Sequence, residues 1–156
     1  MKRVLASPSR IFGLCPAGYQ LGDELVIEGT VVHAVQGPIC YVALSAFTDQ
    51  VTQIQRGERV TSHLSCPGCC FDSGPENRVV FVLGSEGAWS LVRKFSAYNW
   101  ARLDGRATET SAYYCDLCWQ LTQAGDYAQA ERAIEQAMEH LKPVVSEEQV
   151  PVKVIL

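Results

Sequence analysis

Seven cysteines stand in this chain, at Cys15, Cys40, Cys66, Cys69, Cys70, Cys115 and Cys118. Four of them form two C-x-x-C pairs, Cys66-Pro67-Gly68-Cys69 and Cys115-Asp116-Leu117-Cys118. A Cys-Pro-Gly-Cys turn exposes backbone N–H groups toward its sulfurs, which suits a thiolate-bound metal. A C-x-x-C inside a helix sets two thiols three residues apart on one face. Cys66, Cys69, Cys115 and Cys118 would then form a closed four-cysteine zinc site with no open coordination position, a structural cofactor site rather than a catalytic one. Forty-five residues separate Cys69 from Cys115, against roughly 15–20 in a compact zinc ribbon, so the fold has to bring the pairs together. The competing reading makes Cys115 and Cys118 small buried hydrophobes of a helical hairpin. A third reading takes Cys15, Cys40 and Cys70 as a reactive, redox or metal-binding set. Cys40 falls in the first turn of a predicted helix, where the dipole favours a thiolate.

An odd number of cysteines makes a disulfide framework a poor account. The opening Met1-Lys2-Arg3-Val4-Leu5-Ala6-Ser7-Pro8 has two positive charges but no apolar run after them, so no export signal is expected and the compartment is read as the reducing cytoplasm. A thioredoxin-type C-x-x-C stands after a strand and opens a helix, whereas Cys66-Pro67-Gly68-Cys69 runs into the turn Asp72-Ser73-Gly74-Pro75. His63 lies three residues before Cys66 and could replace a thiolate in a metal shell; His33 and His140 are isolated from it. No serine or carboxylate pattern beside a histidine makes a hydrolytic triad legible, and no G-x-x-x-x-G-K-[ST] phosphate loop occurs.

The elements that must position these thiols follow from periodicity. Residues 1–37 read as strands and turns, with Leu25-Val26-Ile27 and Val31-Val32-His33 as short β-branched runs. Ile39, Val42, Ala43, Ala46, Phe47, Val51 and Ile54 recur at helical spacing, predicting one helix over 39–56 that starts near Pro38 and stops at Gly57. Arg78-Val79-Val80-Phe81-Val82-Leu83 reads as a strand. Gly84-Ser85-Glu86-Gly87 then reads as a turn into a return strand on which Trp89, Leu91, Arg93 and Phe95 alternate. Residues 98–110 read as a linker. Tyr114, Leu117, Cys118 and Leu121 mark a helix, Ala124-Gly125-Asp126 a turn, and Tyr127, Ala130, Ala133, Ile134, Ala137 and Leu141 a second helix stopped by Pro143. The tail over 144–156 ends in an alternating run whose Pro151 restricts it to an edge strand.

The expected fold class is α+β. A small mixed sheet with one helix would fill residues 1–97, and an antiparallel helical hairpin residues 111–143. Apolar residues make up 47% and charged residues 19% of the 156 residues, which excludes a disordered chain. Thirteen Lys and Arg against 17 Asp and Glu give a net charge of −4, which argues against a protein built to neutralise phosphates. A local exception runs from Arg78 to Arg106, where Arg93, Lys94 and Arg102 interleave with Trp89, Phe95, Tyr98 and Trp100. That mixture suits a single-stranded nucleic-acid platform, although core packing of the aromatics is the favoured account. No run reaches the roughly 20 apolar residues of a membrane span.

Over residues 13–83 the chain resembles a small family of short, uncharacterised prokaryotic proteins. The likeness rests on Gly13-Leu14-Cys15-Pro16, Gly18, Gly22-Asp23, Gly37-Pro38-Ile39-Cys40, Ala43, Gly57, the Cys69-Cys70 pair with Asp72, and Val79-Val80-Phe81. It implies a small α+β module in which Cys15, Cys40 and the Cys69-Cys70 pair recur. Residues 111–143 resemble one tetratricopeptide repeat, through Gly125-Asp126-Tyr127, Ala130, Ala137 and Pro143. A lone repeat leaves one face uncovered, which implies docking on the N-terminal module, on a protein partner, or on a second copy. The order of knuckle, β-hairpin and helix bearing C-x-x-C is similar to the treble-clef zinc modules. The leading expectation is a zinc-stabilised binding or adaptor protein, and the alternative is a thiol-dependent redox protein or enzyme using Cys15, Cys40 and Cys70.

Overall fold

The computed structural model describes residues 2–68 and 77–144. The chain divides into two compact units, Met1–Ser96 and Ala97–Leu156. The α+β class is the one the sequence predicts. Among the described residues the first unit holds β1 (Val4–Phe12), β2 (Glu24–Glu28), β3 (Val31–Gln36), α1 (Tyr41–Leu44), α2 (Thr48–Gln55), β4 (Thr61–Ser65) and β5 (Arg78–Ser85). A short 3-10 turn, Glu86–Ala88, leads into α3 (Trp89–Leu103), within which the division between the units falls. The second unit continues with α4 (Glu109–Gln123) and α5 (Tyr127–Glu139).

The sheet runs in the order β3-β2-β1-β5-β4, and every pairing is antiparallel. Alternation sorts its residues between two faces. Val4 and Ala6 of β1, Leu25 and Ile27 of β2, and Val79, Phe81 and Leu83 of β5 form one face and are buried. Ala43, Phe47, Val51 and Ile54, from α1, α2 and the turn between them, join the same core. The opposite face carries Leu5, Val26 and Val82. There the first turns of α3 come close to β5: a Cβ at Gly84 would stand 2.9 Å from Val92 Cγ1 and 3.1 Å from Trp89 Cε3. His63 Nε2 lies 2.8 Å from Ser96 Oγ on this side.

β1 is a central strand despite Pro8. β2 pairs only with Val4–Ala6, so the missing N–H of Pro8 falls where β1 has β5 as its ladder partner, and a bulge follows between Pro8 and Arg10.

Several sequence expectations are corrected. The helix predicted over 39–56 is broken: Ala46 N–H bonds Ala43 O and Phe47 N–H bonds Leu44 O, a tightened turn that separates α1 from α2. This turn aims Phe47, only 2% exposed, into the core. The return strand over 89–95 is helix instead. Buried Ala88, Leu91, Val92 and Ser96 recur at helical spacing, and that period outcompetes the alternation of Trp89, Leu91, Arg93 and Phe95. The helix runs on to Leu103, into the stretch read as a linker. The order along the chain therefore differs from the treble-clef one: the Cys66-Pro67-Gly68 turn follows β4 and precedes β5, and α3 intervenes before α4. The tail beyond Val144, with its expected edge strand, lies outside the described residues.

In the second unit α4 and α5 form the expected antiparallel hairpin. Thr108 caps α4: its Oγ1 accepts from Ser111 N–H at 3.0 Å, and its own N–H donates to Ser111 Oγ at 2.8 Å. Asp126 caps α5 through Gln129 N–H, after Gly125 at φ 81°. The α3–α4 loop is tied to the end of α5 by Thr108 Oγ1 donating to His140 O at 2.7 Å and by Arg106 Nε donating to Lys142 O at 2.8 Å. Tyr98, Ser111, Cys118, Ala130, Ile134 and Ala137 are fully buried.

Candidate functional site

Three cysteines from three separate segments of the first unit line one small cavity. Cys15 comes from the β1–β2 connection, Cys40 from the residue before α1, and Cys66 from the end of β4. Tyr19, Ala17, Ala43, Val79 and Phe81 complete much of the wall, and the cavity measures about 20 Å³. Each of the three thiols is half-buried and free.

The segments are pinned by hydrogen bonds and by glycines. Leu14 N–H donates to Asn77 Oδ1 at 2.9 Å, and Gly13, at φ 67°, sits so tightly on that side chain that any Cβ would overlap it. Gly18 N–H closes a turn onto Cys15 O at 2.9 Å. Tyr19 packs edge-on against Phe81, its ring 5.1 Å away, and its hydroxyl oxygen accepts from Cys40 N–H at 3.1 Å. Burial raises the Tyr19 pKa above the usual phenol value, so the hydroxyl stays protonated. Asp23, 5% exposed, accepts from Gln20 N–H at 2.8 Å through Oδ2, and its carbonyl accepts from Ser7 Oγ at 2.7 Å. Cys66 exchanges two bonds with β5: its N–H donates to Val79 O at 2.9 Å, and its sulfur accepts from Val79 N–H at 3.2 Å.

Gly13, Gly18, Gly37 and Asp23 hold the segments that carry Cys15 and Cys40. Cys15 and Cys40 line the same cavity. Cys66 joins them, a residue the sequence assigned to the zinc set. Cys69 and Cys70 lie outside the described residues. Tyr19 was missed; an aromatic four residues after Cys15 carried no signal of its own.

The second C-x-x-C sits on α4 in the second unit. Cys118 is fully buried, and burial pushes its thiol up to about 11. Cys115 is half-buried, and its pKa is raised by burial first and by Asp116 second. Among the described residues no group of three or more histidine, cysteine or carboxylate side chains is arranged to hold a metal ion. His63 is partly desolvated, which lowers its pKa. Of the aromatics interleaved with arginines, Tyr98 is fully buried. No helix among the described residues is long and apolar enough to cross a membrane.

No family model, curated protein or solved structure matches this chain.

Proposed function

We propose that the protein acts through thiol chemistry at Cys15, Cys40 and Cys66, exchanging with a small disulfide-bearing partner. The observation that carries this reading is the convergence of three free, partly buried thiols on one cavity. In the first step a thiolate of the set attacks one sulfur of the partner disulfide and displaces the other as a thiolate. A second cysteine then attacks the mixed disulfide, leaving a protein disulfide and releasing the remaining half as thiol. The Val79 N–H, 3.2 Å from Cys66 Sγ, holds that sulfur in place at the cavity.

Reduced protein incubated with glutathione disulfide tests this. Peptide mapping should find the mixed disulfide, and then the protein disulfide, among Cys15, Cys40 and Cys66. Exchange confined to Cys115, or none, would end the reading.

The zinc adaptor reading, with Cys66, Cys69, Cys115 and Cys118 as ligands, keeps two supports. Cys66 opens a turn in which Gly68 takes φ 89°, and Cys115 and Cys118 share a face of α4. Against it weighs Cys118, whose burial disfavours the thiolate that zinc requires. Zinc at one atom per chain, lost from Cys118→Ala, would favour this reading over thiol exchange. Docking of a protein partner or a second copy through the α4–α5 hairpin belongs to the same proposal, and the half-exposed Trp119 of α4 would be central to it.

A further inference from the structure

Resting on the thiol reading, we infer that the cavity between Cys15, Cys40 and Cys66 receives a single sulfane sulfur atom, carried as a persulfide on Cys66. The cavity's size and lining select the guest. Its volume of about 20 Å³ is a little more than the roughly 10–15 Å³ that one water-sized guest needs. Water is a poor occupant, because a buried water needs two to four polar partners, and the wall is made chiefly of thiols, Ala17, Val79 and Phe81. The hydroxyl oxygen of Tyr19 is already engaged by Cys40 N–H. Sulfur is soft, polarizable and weakly hydrogen-bonding, so one more sulfur atom suits a space already lined by sulfur and hydrocarbon.

Cys66 is assigned as the acceptor because Val79 N–H points at its sulfur from 3.2 Å. That bond fixes the Cys66 sulfur at the cavity wall, where an added sulfur atom would enter the space. The thiols are only partly buried, so a donor reaches them from outside, while the cavity shelters the transferred atom. The donor class is a low-molecular-weight persulfide. Its outer sulfur is attacked by the Cys66 thiolate; the new S–S bond forms as the donor's S–S bond breaks, and the donor leaves as a thiolate with the electron pair. The proton on the outer sulfur stays with that atom, and no external oxidant or reductant is consumed. Transfer onward reverses the step onto an acceptor thiolate.

Reduced full-length protein treated with glutathione persulfide, then freed of excess reagent, should gain one sulfur atom per chain by intact mass. Peptide mapping should place that atom on Cys66, and cyanide should remove it as thiocyanate. Cys66→Ser should lose the uptake, while Cys115→Ser should keep it. Ala17→Leu, which fills the cavity and leaves Cys66 and its hydrogen bond in place, should also lose uptake while Cys66 still reacts with iodoacetamide. This keeps the assignment testable if Cys66→Ser fails to fold. No sulfur gain in a protein that still exchanges with glutathione disulfide would overturn the sulfur assignment alone. Uptake unchanged in Ala17→Leu, or found only on Cys115, would overturn it too. Failure of both reactions would remove the thiol reading beneath it.

Discussion

Gly37 lies directly over the side chain of Asp23, so closely that any Cβ at Gly37 would overlap the aspartate's Cβ and carboxyl group. This is how the segment leading to Cys40 is seated on the loop that carries Cys15. Gly37 also takes φ 90°, a conformation L side chains rarely adopt. Gly37→Ala should therefore destabilise the first unit by more than the roughly 1–3 kcal/mol that a left-handed non-glycine residue costs alone. Chemical denaturation measures this, and Cys40 should alkylate faster in the variant. Stability equal to the parent chain would mean the segment is not held in this way.

Tyr19→Phe removes one oxygen and keeps the ring against Phe81. The lost partner is the acceptor for Cys40 N–H. The expected cost is about 1–2 kcal/mol, the cost of a hydrogen bond whose half-buried donor is left unmet. The sharper readout is chemical: Cys40 should react faster with iodoacetamide, while Cys115, on α4 in the other unit, should not change. Equal acceleration at both cysteines would point to general loosening instead.

The α+β class, the α4–α5 hairpin and the central strand over 78–83 were legible because each carries an unbroken period. β1 was not, since Ser7-Pro8-Ser9 interrupts the apolar run; Pro8 is tolerated because the ladder with β2 ends at Ala6 and a bulge follows. Residues 89–95 fit two periods at once, and tertiary packing of Leu91 and Val92 decided for helix. In the candidate site, Gly13, Gly37 and Asp23 were visible as a pattern but not as a mechanism. Their role is steric, and it shows only when Asn77 and Asp23 are seen against the glycines. Cys66 pairs with Cys69 on sequence grounds because adjacency makes a C-x-x-C conspicuous, whereas its neighbours Cys15 and Cys40 are distant along the chain.

His63 provides a pH signature in the first unit. Its ring nitrogen meets Ser96 Oγ at 2.8 Å, and partial burial lowers its pKa below the ordinary 6.5. Between that value and the lower folded-state value, the unfolded chain binds more protons than the folded one. The contribution to stability is present above pH 6.5 and is lost progressively as pH falls through the folded value. A melting series on acidification should show this loss, and His63→Gln should flatten that part of the curve. A His63→Gln profile parallel to that of the parent chain would assign the loss to other groups.

Cys118 gives the opposite sign. Burial raises its thiol from the ordinary 9.0 to about 11, so the folded chain keeps a proton that the unfolded chain gives up between those values. Its contribution is intact below pH 9 and lost as pH rises toward 11. Alkaline melting should therefore be less steep in Cys118→Ala over that window, although the smaller side chain lowers stability at neutral pH through the space it leaves. The same burial predicts reactivity: in the native protein at pH 8, Cys115 should take up iodoacetamide well before Cys118, and Cys118 should react only as the hairpin opens. Rapid labelling of Cys118 without unfolding would show that α4 and α5 do not hold it shut, and would return it to contention as a metal ligand.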